Sequence, residues 1–127
     1  MSHRILISTF TAVALGFALL SAAPVVLAQD DAVAGNASRL LAIATSVDES
    51  VSASDWDAAR TGWQSFDGTW DDVEDGFRAV WRDGYRDVES HMSTIQRLLR
   101  EDVPNADQLH AEISALTDLL TQFGASN

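Results

Sequence analysis

Between residues 56 and 80 the chain sets apolar side chains at Trp56, Ala59, Trp63, Phe66, Trp70, Val73, Phe77 and Val80, in alternating steps of three and four. That is the seven-residue repeat of a helix packed along a bundle seam. A strand cannot carry it, because strand side chains change face at every residue. Beside the seam, Gly62, Thr69 and Gly76 recur at the same interval. Small side chains there let a neighbouring helix come close. Glycine inside a helix costs about 1 kcal/mol relative to alanine, so Gly76 calls for a packing reason.

Three further segments read the same way. Residues 31–51 carry Val33, Leu40, Leu41, Ala44, Val47 and Val51 at roughly helical spacing, and Ser54 with Asp57 resembles a cap for the helix that follows. Asp83-Gly84 reads as a turn, after which Tyr85, Val88, Met92, Ile95 and Leu99 repeat the alternation. Pro104 ends that helix, Asn105 with Gln108 suits the start of another, and Leu109, Ile113, Leu116, Leu120 and Phe123 line it, with Gly124 as its C-cap. Four apolar-faced helices joined by short links hide their stripes only against one another. The expected fold is all-α, an antiparallel up-down-up-down four-helix bundle.

The bundle is expected to occupy residues 29–127, after a signal peptide at 1–28. Arg4 opens that segment, the apolar run Ile5 to Leu20 follows, and Pro24 leads to the small-residue exit Val26-Leu27-Ala28. The run is shorter than the ~20 residues needed to span a bilayer. The expected product is periplasmic or secreted and not integral to the membrane. With 8 basic residues against 19 acidic and a net charge of -11, it repels nucleic acid. The absence of cysteine excludes disulfides, zinc-thiolate and iron-sulfur centres, and Cys nucleophiles. All eight basic residues are Arg. A Lys-free, Asp-rich surface fits high salt, where screening relieves self-repulsion, and fits coding bias equally well. No nucleophile-base-orienter set is readable, so an enzyme is not expected.

Chemistry concentrates in the second and third helices. Asp67 and Glu74 follow seam positions Phe66 and Val73, and Glu89 and Gln96 stand in the same relation to Val88 and Ile95. Across a turn placed near residue 82 or 83, these flanks face each other, bringing Glu74 toward Glu89 and level with His91. Two facing carboxylates repel unless a positive charge or a proton intervenes. Two solutions are open. One is a hard cation, with Asp71, Asp67 and His91 as additional ligands. The other is arginine, Arg78 for Glu74 and Arg86 for Glu89. His110 reads as a surface or helix-start residue and Met92 as core, leaving a Met/His haem as a remote third class. The indoles of Trp56, Trp63 and Trp70 belong to the core, and each buried N–H wants an acceptor, such as Asp67.

The stretch Phe66-Asp67, Trp70, Val73-Glu74-Asp75-Gly76-Phe77-Arg78, then Tyr85-Arg86, Val88-Glu89 and Met92, resembles a known pattern. It is similar to the helical extracytoplasmic domain found with Ftr-type iron permeases and to imelysin-like EfeO iron-uptake proteins. The resemblance covers roughly residues 63–99 and places Glu74 and Glu89 on the family's two hairpin glutamates. It implies an acidic bundle that binds iron or another divalent cation and assists uptake, with an iron permease or other envelope protein as partner. The imelysin-like His-x-x-Glu motif has no counterpart: Thr94 follows His91 at that spacing, and Ile113 follows His110. The competing expectation is an envelope structural or interaction module without metal.

Overall fold

The computed structural model describes the backbone of residues 23–125 and the side chains of residues 31–125. Among them there are four helices and no strand: α1 Ala23–Ser52, α2 Trp56–Val80, α3 Arg82–Leu99 and α4 Ala106–Ala125. Most of the expected signal segment lies outside the described residues. No helix of the described residues is long and apolar enough to cross a membrane.

The helices close into a ring, α1 against α2 and α4, and α3 against α2 and α4, around one core. The stripe on α2 goes where its spacing directs it. Ala59, Trp63, Phe66, Trp70 and Phe77 are buried, together with Val88, Ile95 and Leu98 of α3 and Leu109, Leu116 and Leu120 of α4. Each large apolar side chain so enclosed contributes about 1.5–3 kcal/mol relative to exposure. Val80 ends the stripe exposed, at the last residue of α2.

The small residues on α2 meet α1. A Cβ built on Gly62 would lie 2.9 Å from the Val47 methyl, and one on Gly76 would lie 3.4 Å from that of Val33. Thr69, between them, is buried and returns its hydroxyl to the Ser65 carbonyl at 2.7 Å. Close packing on Val47 thus accounts for the glycine at 62, whereas at Gly76 an alanine would make only ordinary contact with Val33.

Helix boundaries follow capping chemistry, at positions partly shifted from those expected. α1 begins upstream of residue 31. Asp55, rather than Ser54, caps α2 by accepting from the Ala58 N–H at 3.1 Å. Ser54 instead takes φ 53°, the left-handed conformation that turns the chain out of α1. Asn105 caps α4 as expected, accepting from Gln108 N–H at 3.0 Å. Gly124 lies within α4 rather than beyond it.

The largest departure is between α2 and α3. A turn at Asp83-Gly84 was expected, but the break is the single residue Trp81, with φ −144° and ψ 62°. Its N–H reaches Phe77 O at 2.7 Å and its carbonyl accepts from Tyr85 N–H at 2.8 Å, so one residue closes α2 and opens α3. Gly84 sits inside the first turn of α3, buried beneath the Trp81 indole, whose ring atoms begin 1.8 Å from where a Cβ would stand. The glycine makes room for a ring rather than a turn. Trp81 in turn packs on Phe123 of α4, with ring centroids 5.2 Å apart.

Candidate functional site

Moving the break from residue 82–83 to Trp81 resets the α2/α3 register. Arg60 meets Leu99, Trp70 meets Glu89 and Glu74 meets Tyr85, so partners on α3 recede as the chain advances along α2. Glu74 therefore stands opposite Tyr85, not His91.

Trp70, Glu74 and Arg78 lie four residues apart on one face of α2, and Tyr85 and Glu89 do the same on α3. The side chains interlock. Tyr85 donates its hydroxyl to Glu74 Oε2 at 3.1 Å. The Trp70 indole N–H donates to Glu89 Oε1. The Tyr85 ring stacks on Trp70, with centroids 5.8 Å apart and planes 18° from parallel. Arg78 lies 5.8 Å from the Tyr85 ring centre. Both carboxylates are half-buried and flank one phenol.

Electrostatics at Tyr85 report this arrangement. Its pKa is raised above the ordinary 10.0, first by desolvation, then by its hydrogen bond to Glu74 and by the charges of Glu89 and Glu74, with Arg78 opposing. A phenolate here would face two carboxylates.

The arginines do not neutralise the pair. Arg78 binds Asp75, and neither Arg86, Glu74 nor Glu89 forms an ion pair among the described residues. Each carboxylate is instead held by a neutral aromatic donor, a solution sequence reasoning did not anticipate. The sequence places Tyr85 on the seam and in the hairpin pattern but assigns it no partner. Its alternation with Glu89 at i,i+4, opposite Trp70 and Glu74, was the signal available.

The remaining expected ligands lie elsewhere or to one side. Asp67 is half-buried, with its pKa raised above 3.8 by desolvation and then by the charge of Asp71, while Asp71 is exposed. His91 turns to α4, its Nδ1 2.6 Å from Glu112 Oε2. His110 of α4 pairs likewise with Asp48 Oδ1 of α1 at 2.6 Å. Two His–carboxylate contacts thus tie α4 to both neighbours. Glu112 and Asp48 were not singled out from sequence, because their partners lie 21 and 62 residues away. Among the described residues, no three His, Asp or Glu side chains gather in a group able to hold a metal.

No protein-family model, curated protein or solved structure matches this chain. None of these comparisons links the chain to iron-permease-associated or EfeO domains.

Proposed function

We propose that this is an exported, non-enzymatic helical-bundle protein that binds a hard cation weakly between Glu74 and Glu89. One observation carries the reading: two half-buried carboxylates flank a single tyrosine, and neither has a cationic partner among the described residues. Uncompensated like charges raise the free energy of the empty site, and a bound cation removes that cost. Each glutamate has one oxygen engaged by an aromatic donor, which orients the other, and water completes the coordination of an oxygen-seeking ion. Asp67, Asp71 and His91 are outer contributors at most. The antiparallel up-down-up-down order belongs to the proposal too. The receding α2/α3 partners support it, as do Val47 with Gly62 and Val33 with Gly76 between α1 and α2.

Iron is the first ion to test, and assistance to an envelope permease the first physiological role. Both follow from the hairpin resemblance, and periplasmic or secreted location from the pattern of residues 1–28. Calorimetric titration of the purified protein with ferrous, ferric, manganous and calcium ions is expected to show binding that the double variant Glu74→Gln, Glu89→Gln loses. Wild-type protein that takes up none of these ions would overturn the reading. The competing reading is a metal-free envelope interaction module. That alternative predicts no heat in any titration and no change in the Tyr85 titration on adding cation.

A further inference from the structure

At the other end of the α2/α3 pair, a groove of about 290 Å³ opens between Arg60, Trp63 and Gln64 of α2 and Gln96, Leu99 and Arg100 of α3. It sits at the lower edge of the roughly 300–1,000 Å³ typical of small-molecule sites. Its chemistry is opposite to that of the chain around it. Acids outnumber arginines 19 to 8 overall, yet the lining has two arginines, two amides and no acid.

The arginines are differently placed. Arg60 is braced, its Nε donating to Leu99 O at 2.8 Å and one terminal nitrogen to Glu101 O at 3.2 Å. Its other terminal nitrogen lies 3.6 Å from the fully exposed Asp57. Arg100 has no hydrogen-bond or ionic partner for its side chain among the described residues, and neither do Gln64 and Gln96.

The third observation is Trp63. Only 4% exposed, it carries the one enclosed side-chain donor among the described residues that finds no acceptor, its indole N–H. Seven residues on, the equivalent indole of Trp70 binds Glu89; by the same register, the position opposite Trp63 is Gln96. A buried donor without an acceptor is rare in native proteins, and here it belongs to a ring that lines the groove.

We propose that this groove binds a small organic carboxylate, with its apolar body against Trp63 and Leu99 and its oxygens met by Arg100 and the braced Arg60. A planar guanidinium matches a carboxylate in a two-point contact. A monoanion is favoured over a phosphate because each added negative charge works against the field of a chain at -11.

The test uses benzoate as probe, with benzamide as its neutral analogue and inorganic phosphate as the alternative oxyanion. The indole N–H proton resonances, assigned with Trp63→Phe, are followed by NMR. Benzoate is expected to bind at millimolar or better concentration, shift the Trp63 N–H resonance, and bind benzamide's site at least about tenfold more tightly than benzamide does. Arg100→Gln, at an exposed position that leaves the fold intact, is expected to weaken benzoate by a similar factor. The double variant at Glu74 and Glu89 is expected to bind benzoate as wild type does, so the two sites succeed or fail separately. No shift with benzoate, equal affinity in Arg100→Gln, or preference for phosphate or benzamide overturns the assignment.

Discussion

Trp70 and Trp63 occupy the same seam of the same helix, one repeat apart, and differ in what α3 offers them. Opposite Trp70 stands Glu89, which accepts the indole N–H; opposite Trp63 stands Gln96, and that indole goes without a partner. Gln96 carries an acceptor oxygen of its own but does not turn it to the indole, and that separates a closed acidic cluster from an open groove edged with guanidinium groups. The seam sets where the helices touch. The residues one step off it set the chemistry.

The largest test removes each indole nitrogen in turn. Trp70→Phe strands the half-buried Glu89 carboxylate and is expected to cost about 1–3 kcal/mol more than Trp63→Phe, which discards a donor already unpaired. Urea unfolding of both variants measures the difference, and equal losses would erase the distinction between the two indoles. Gln96→Glu transplants the carboxylate acceptor found opposite Trp70 to the position opposite Trp63. It is expected to gain about 0.5–1.5 kcal/mol from the Trp63 hydrogen bond while abolishing benzoate binding, read by the same unfolding curves and by titration.

Smaller effects come from protonation. Asp67 has its folded pKa raised, by desolvation and then by Asp71, so the native state holds the proton more tightly than the unfolded chain. The stability this contributes is complete below pH 3.8 and is lost as pH rises through the folded value. Asp67→Asn is therefore expected to melt higher than wild type near neutral pH, with the advantage vanishing in acid. Tyr85 is the only tyrosine in the chain, so ultraviolet titration of the phenol reads it alone. Its midpoint is expected above 10.0, lower in Glu74→Gln, and lower again in wild type saturated with a bound cation. A midpoint indifferent to Glu74 would separate the tyrosine from the carboxylates. By the sign of the shift, stability held below pH 10 declines as pH rises through the folded value.

Much of this was legible in the residue pattern. The Trp63, Phe66, Trp70 and Phe77 positions predicted a buried stripe, and Gly62 and Gly76 predicted the close approach of a neighbour, because helical periodicity alone decides which side chains share a face. The register was not legible. Asp83-Gly84 has the composition of a turn, yet the glycine serves the Trp81 ring, and local turn preferences do not encode that contact. With the break misplaced, Glu74 was set level with His91, six residues beyond its observed partner Tyr85. The partners of His91 and His110 were out of reach for a related reason: Glu112 and Asp48 are ordinary acids until the helices are laid side by side.

The one-residue join at Trp81 leaves the second and third rods no slack. A spliced-in alanine beside it would rotate everything downstream by about 100° about the helix axis, swinging Glu89 from Trp70 and Leu99 from Arg60 in a single stroke. Length at that corner therefore works as the gauge that keeps two chemically opposite ends of one hairpin in step.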